Sequence, residues 1–407
     1  MRFVGVLIAL MLGLQAGVSF AQATEAEAAP APAVVAIDAR VAGDGKRTRF
    51  VLDLNGSTDF AAFTLADPYR VIIDFADVRF NLPSAAGTKG RGLVSAFRYG
   101  VFAPGKARVV LDATDPVAID RAYVVEQHDK QPARLVVDLV PTDRETFIRN
   151  AAAKAPASPS ASVARVAVDP QADKSGPPVI VIDPGHGGID SGAISPSGVQ
   201  EKDIVLAVAK ELAEKLERTK RFRVVLTRYD DTFVQLNDRV QIARMNNAKL
   251  FISIHADSIS RKEGEARGAT IYTVSDKASD TEAAKLADKE NKADLIAGVD
   301  LTNKSDDVAN ILFDLAHRET KNFSGLFART LVGRMKTATL MHKKPLKSAG
   351  FIVLRAPDVP SVLLELGFLS SREDVKLLTS PAWREKVAVA MADAVQRFFQ
   401  SHLAEVH

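Results

Sequence analysis

The pattern of apolar and polar positions divides the chain into two regions of different character. From about Val34 to Pro141, short apolar runs recur between turn residues, and four of them carry one phrase. It reads Arg49-Phe50-Val51-Leu52-Asp53-Leu54, then Arg70-Val71-Ile72-Ile73-Asp74-Phe75, and returns as Arg108-Val109-Val110-Leu111-Asp112-Ala113 and Arg134-Leu135-Val136-Val137-Asp138-Leu139. Turn signals such as Asn55-Gly56, Asp67-Pro68, Pro104-Gly105 and Gln131-Pro132 flank these runs. Short strands at this spacing predict a small all-β domain, most simply a sandwich. The Arg and Asp at fixed offsets read as pleat alternation with cross-strand ion pairs rather than as ligands. His128 has no motif around it.

From Val179 onward, continuous apolar runs alternate with helical periodicity, which predicts an α/β domain. Val179-Ile180-Val181-Ile182 reads as a strand buried on both faces, and it stops at Asp183-Pro184-Gly185 with His186 set between glycines just beyond. Glu201 precedes a helix whose Val205, Val208, Leu212 and Leu216 keep helical spacing, so it falls in the loop or first turn. Arg223 to Thr227 reads as a second strand and Asn237 to Asn246 as a second helix. Leu250 to Ile254 is a third buried strand, ending at once in His255. Phe351 to Leu354 and Ser361 to Leu364 predict two more strands, the second ending at Glu365, and an amphipathic stretch from Ala382 to Leu403 closes the chain.

Composition changes this picture in three places. At 407 residues, 47% of them hydrophobic, the chain can hold two or three domains. Its net charge of +3 is not gathered into a basic run, which argues against nucleic-acid binding. It has no cysteine, so disulfides and thiolate metal sites are excluded and any metal must be held by His and carboxylates. Met1-Arg2 followed by the apolar run Phe3 to Phe20 has the layout of a secretory signal peptide, with small residues for cleavage at Ser19, Ala21 and Ala23. Residues 1–23 are therefore expected to be removed on export, leaving no stable membrane insertion. An uncleaved anchor fits less well, because the run is short for a span and leads into Ala/Glu/Pro-rich sequence. Residues 151–178, rich in Ala, Pro and Ser, read as a flexible tether between two independent domains.

Two strands of one sheet that each end in a histidine put both imidazoles at the same sheet edge. His186, His255 and Glu201 then supply two neutral imidazoles and one carboxylate, a common catalytic zinc set with a fourth position for water. Glu365, at the end of another strand, is placed to act as the base such chemistry needs. A serine or cysteine nucleophile has no support, since there is neither Cys nor a Gly-x-Ser-x-Gly elbow. The residues alone lead to an exported zinc amide hydrolase.

Asp183-Pro184-Gly185-His186-Gly187-Gly188, Glu201, Ser253-Ile254-His255-Ala256-Asp257 and Glu365-Leu366-Gly367-Phe368-Leu369-Ser370 closely resemble the zinc-dependent N-acetylmuramoyl-L-alanine amidases of the bacterial cell wall. The resemblance runs from Val179 to about Phe399. The β-repeat region resembles the AMIN domain that precedes this catalytic domain in exported division amidases. The resemblance implies a mixed-sheet α/β fold with helices on both faces, zinc on His186, Glu201 and His255, and Glu365 as catalytic glutamate. The implied reaction is hydrolysis of the amide between N-acetylmuramic acid and L-alanine of peptidoglycan, in the periplasm and near the division septum, where the β-domain would serve as a targeting module. Asp257 departs from the many members that carry Asn after His-Ala.

One stretch is longer than a compact domain needs: residues 275–304, between the strand Ala269 to Val274 and a long helix beginning near Asp306. It carries a charged helical segment from Glu282 to Asn291, then the apolar pair Leu295 and Ile296. The resemblance implies a regulatory helix lying over the zinc and displaced by a LytM-like activator. Glu290, in preference to Glu282, is the carboxylate expected to fill the open metal position, and Leu295 and Ile296 are expected to be exposed for the activator. Two other readings stay open from the residues: a zinc peptidase acting on the stem peptide, and a non-catalytic wall-binding protein. The second would need a missing ligand or base, and none is missing.

Overall fold

The four repeated phrases fold as strands that supply the middle of two facing sheets. In the computed structural model, residues 34–83, 86–128, 131–154, 176–258, 267–299 and 312–403 are described. The expected signal peptide, the tether from 155 to 175, the insertion beyond 299 and the helix start near Asp306 lie outside them. The N-terminal region contains β1 (Val34–Gly43), β2 (Thr48–Leu54), β3 (Phe60–Leu65), β4 (Arg70–Ala76), β5 (Val78–Phe80), β6 (Val94–Ala103), β7 (Lys106–Ala113), β8 (Val117–Val125) and β9 (Ala133–Pro141). They form one sheet in the order β5-β1-β2-β9-β8 and a second in the order β3-β4-β7-β6. Phe50, Leu52, Val71, Ile73, Val109 and Val137 fill the space between, as strand alternation requires.

The charges at fixed offsets are cross-strand pairs. Asp74 sits opposite Arg108 and takes two hydrogen bonds of 2.6 and 2.8 Å, while Arg49 sits opposite Asp138 at 2.7 and 2.8 Å. Helix α1 (Arg144–Lys154) comes next, with Phe147 buried in the sandwich core. Its last turn takes up residues 151–154, the expected start of the tether. An alanine-rich segment suits a helix as well as a linker, and composition alone does not separate the two.

The second region contains β10 (Val179–Pro184), α2 (Glu201–Arg218), β11 (Arg223–Leu226), α3 (Leu236–Met245), β12 (Leu250–His255), β13 (Ala269–Val274), α4 (Thr281–Glu290), α5 (Ala293–Ile296), α6 (Leu312–Met335), β14 (Met341–Ala349), β15 (Ser361–Glu365), α7 (Arg372–Leu378) and α8 (Pro381–Leu403). The sheet order is β11-β10-β12-β15-β13-β14. All pairings are parallel except β13 with β15, so the sheet is mixed. Strands β10, β12 and β15 are buried at every position, with α2, α6 and α8 on one face. Helices α3 and α4 pack on the other.

One expected strand is not there. Residues Ile352–Leu354 form a 3-10 turn. The apolar run is buried because Phe351, Val353 and Leu354 pack under the sheet beside α3 and α4, not because they extend it. The sheet instead gains β14, whose Lys343, Lys344, Pro345 and Lys347 read as a polar loop. Lysines and proline are what an unpaired edge tolerates.

Candidate metal centre

The parallel register carries the chemistry to one edge. Ile254 of β12 accepts from the Gly185 amide just past β10 at 3.0 Å, and His255 sits opposite Glu365 on β15. His186 adopts a left-handed backbone, φ 59°, and its ring lies edge-to-face with that of His255, centroids 4.8 Å apart. The approach is close enough that a Cβ on Gly185 would lie 2.4 Å from His255 Cε1. Any side chain at 185 would displace the imidazole. Glu201 is the first residue of α2, where the helix dipole favours a carboxylate. Its two oxygens accept from Ala256 N at 2.8 Å and Ala193 N at 2.9 Å, which fixes the side chain.

His186, Glu201 and His255 are all buried and offer ligand atoms within 4.8 Å of one another. Glu201 Oε1 lies 3.1 Å from His186 Nε2 and 3.2 Å from His255 Nδ1. Asp190 Oδ2 is 2.8 Å from His186 Nδ1, so a neutral ring carries its proton on that nitrogen and turns the Nε2 lone pair to the cluster. Neither His186 Nε2 nor His255 Nδ1 has a hydrogen-bond partner.

Two further carboxylates converge here. Glu290, the last residue of α4, brings Oε2 to 3.5 Å from His186 Nε2 and 3.2 Å from His255 Nδ1. Glu282, the other acid on that helix considered for this place, instead pairs with Lys347 at 2.9 Å. Glu365 Oε2 accepts from Asp257 N at 3.0 Å, while its Oε1 is buried without a partner, as is Glu290 Oε1. Burial, reinforced by Glu201, Asp257 and Glu290, holds the Glu365 carboxyl well above its usual range. Burial also raises Glu290, against the pull of the two histidines. At Glu201 burial is outweighed by His186 and His255, and the carboxylate is held well below its usual range. For His186, burial is outweighed in turn by Asp190, Glu201 and Glu290, which raise it.

Several participants carry no mark in the sequence. Asp190 lies four residues after His186 in the same glycine loop, and that spacing is its only signal. Lys289 of α4 pairs with Asp257, the residue that departs from the family pattern. Asp294 accepts from Leu236 N at 2.9 Å and caps α3. Leu295 and Ile296, expected to be exposed, are half-buried. The reason is that the Leu295 carbonyl accepts from Arg70 of the sandwich and the residues after it pack against the same domain.

The donor set suits a divalent cation. Two imidazole nitrogens and a carboxylate oxygen converge, and buried polar atoms left without partners cost about 1–3 kcal/mol each unless something fills the space. Carboxylates outnumber the imidazoles that could balance them, and a cation relieves that excess.

Comparison with known proteins places the chain. Residues 180–397 match the N-acetylmuramoyl-L-alanine amidase family and residues 36–139 match the AMIN domain. N-acetylmuramoyl-L-alanine amidase AmiC of Neisseria meningitidis serogroup B is 33% identical over 368 residues, covering 87% of this chain and 87% of its own. AmiA of Escherichia coli K12 is 40% identical over 232 residues, covering 56% of this chain and 79% of its own. The solved structure of AmiC2 of Nostoc punctiforme is 28% identical, covers 55% of this chain and 97% of its own, and aligns with a TM-score of 0.39. With more than half of its length matched to one catalytic family, this chain belongs to the N-acetylmuramoyl-L-alanine amidases, and it carries an AMIN domain ahead of the catalytic one.

Proposed function

We propose that the amidase works with zinc held by His186, Glu201 and His255, that Glu365 moves the proton, and that Glu290 keeps the enzyme switched off. When bound, zinc polarises the substrate carbonyl and brings the pKa of a water toward neutrality. Asp190 holds the His186 ring in the tautomer that presents Nε2. The two backbone amides on Glu201 keep its side chain from swinging. Glu365 has one oxygen tied to Asp257 N and one without a partner. The free Oε1 takes a proton from the attacking water and returns it to the nitrogen of L-alanine as the C–N bond breaks, so no covalent intermediate on the protein is needed.

The observation that carries the switch is the position of Glu290 Oε2 against the same two nitrogens that Glu201 approaches. A carboxylate there would keep water and the substrate carbonyl away from a metal held by His186, Glu201 and His255. A closed state favoured by about 2.7 kcal/mol leaves roughly one site in a hundred open. Glu290→Ala should therefore raise hydrolysis of purified sacculi, without any activator, by up to about a hundredfold while zinc content stays unchanged. Unchanged basal hydrolysis in a folded, zinc-loaded Glu290→Ala protein sinks the switch.

Export to the periplasm, with the β-domain concentrating the enzyme on peptidoglycan at the septum, completes the reading. It rests on the N-terminal apolar run and on the AMIN match. Among the described residues, no helix is long and apolar enough to cross a membrane. A LytM-like activator that draws α4 away from the site would relieve the block.

A further inference from the structure

The outer face of the sandwich's second sheet is buried, although a free β-domain would leave it in water. Ile72 and Val110 lie on that face, turned away from the sandwich core. They pack instead with Ile189 and Phe233 of the catalytic domain and with Ala297 and Val299 of the insertion. Phe102 of β6 stacks on Phe233 with ring centroids 5.9 Å apart and planes 13° from parallel.

Two buried arginines of the repeated phrase add polar contacts. Arg108, already paired with Asp74, also donates to Gly298 O at 2.8 Å and Ala297 O at 3.2 Å. Arg70 donates to Leu295 O. Leu295 O already accepts from Gly298 N at 3.0 Å, so Arg70 adds a second donor there, while Arg108 takes the two carbonyls of the turn after α5. Only four residues separate Leu295 from Glu290. The β-domain therefore grips one end of the segment whose other end lies against His186 and His255.

It also grips the loop that carries His186. A Cβ on Gly188 would lie 1.9 Å from Val101 O of β6, and Val101 also forms a bridge with Thr232 of the neighbouring β11–α3 loop. A Cβ on Gly100 would lie 2.4 Å from both Gly188 C and Ile189 N, so two backbones touch there with no side chain between them.

We infer that the β-domain is a clamp on the lid: its outer sheet face seats residues 295–299, so that withdrawal of Glu290 is coupled to undocking of the β-domain. This rests on the reading of Glu290 as the blocking carboxylate. The coupling gives the targeting module a second task, since a wall ligand that pulled the domain off this face would loosen the lid where substrate is present.

The test uses the full-length, zinc-loaded protein. Gly100→Val is a wedge: the three atoms nearest its Cβ all belong to the catalytic domain. Its strand position otherwise favours a β-branched residue. Phe102→Ala removes the stacking contact from the half-buried rim. For each variant, three quantities are read: amide hydrogen exchange over residues 281–299, exchange over the sandwich strands, and basal hydrolysis of sacculi with zinc content checked. The clamp predicts exchange at least about tenfold faster across 281–299, the factor expected for losing one charge-assisted hydrogen bond. It also predicts basal hydrolysis rising toward that of Glu290→Ala, with the sandwich still protected. Unaltered exchange and hydrolysis in Gly100→Val overturn it. So does faster exchange without faster hydrolysis while Glu290→Ala is active, since the interface would then exist without governing the lid. If Glu290→Ala itself stays at the parent level, the blocking role of Glu290 fails, and the exchange data still judge the clamp.

Discussion

Two buried polar clusters sit three residues apart at the end of β10, and they differ in one respect. Asp183 is fully buried and fully satisfied: its carboxylate accepts from Thr227 Oγ1 at 2.6 Å, Ser253 Oγ at 2.7 Å and Arg239 Nη1 at 2.7 Å. Burial works against its charge, but Arg239 and the two hydroxyls outweigh that and hold the acid below its usual range. His186, just past the same strand end and also buried, leaves Nε2 without a partner, and His255 Nδ1, Glu290 Oε1 and Glu365 Oε1 share that condition. Burial of charge is common to both clusters. The unsatisfied remainder is confined to one, and it marks where a ligand belongs. Asp183 and Arg239 form a structural strut that holds the His186 loop from behind, since Arg239 also donates to His186 O at 2.7 Å.

Removing a proposed ligand or the proposed base strikes the unsatisfied cluster directly and should have the largest effect. His186→Ala and His255→Ala should each lose zinc, measured by metal analysis of the purified protein, and with it all measurable hydrolysis. Glu365→Gln should keep zinc and lose roughly 10²–10⁴ in turnover, the range for a general acid–base group. Loss of metal from Glu365→Gln comparable to that from His186→Ala would show that the division between ligand and base is wrong.

Much of this geometry is legible in the sequence, for a physical reason. Strands buried on both faces must be continuous apolar runs, and the parallel sheet aligns their C-terminal ends, so His186, His255 and Glu365 stand out as polar residues placed where such runs stop. Helical spacing after Glu201 fixes that residue at a helix start for the same reason. The parts that stay hidden lack local periodicity. Strand β14 is written in lysines because it is an edge, and Phe351 to Leu354 is written as a strand because it is buried. Asp190 differs from any loop aspartate only by the ring it touches. The grip of Arg70 and Arg108 on residues 295–298 spans about two hundred positions of sequence. In the repeat these two arginines look the same as Arg49, which makes the cross-strand pair with Asp138 that pleat alternation predicts.

A second prediction tests the satisfied cluster. Asp183→Ala leaves Arg239 buried without its counter-charge, and breaking a buried pair from one side costs about 3–5 kcal/mol. The catalytic domain should melt markedly earlier in a thermal or denaturant series, while the fraction that stays folded still binds one zinc. An Asp183→Ala protein as stable as the parent but devoid of metal would put Asp183 in the site rather than behind it.

The smallest expected effect lies on the boundary between the two clusters. Asp190 is itself satisfied, accepting from Gly192 N at 3.1 Å while holding His186 Nδ1 at 2.8 Å, yet what it holds is a ring whose other nitrogen is not. Burial opposes the charge on Asp190, and His186 more than offsets it, so the carboxylate stays ionised and accepts only. Asp190→Asn keeps the size and one oxygen, but if its amide nitrogen faces His186 Nδ1 it donates there. The ring must then carry its proton on Nε2, the atom that faces the cluster, and the lone pair is lost from the place where a ligand needs it. Partners behind a ligand of this kind typically cost 10–100-fold in metal affinity. A zinc competition titration of Asp190→Asn should show that loss, with the apo-protein melting temperature close to the parent's and turnover largely restored at saturating zinc. A lower melting temperature with unchanged zinc affinity would reassign Asp190 to the structural cluster and move the boundary by one residue.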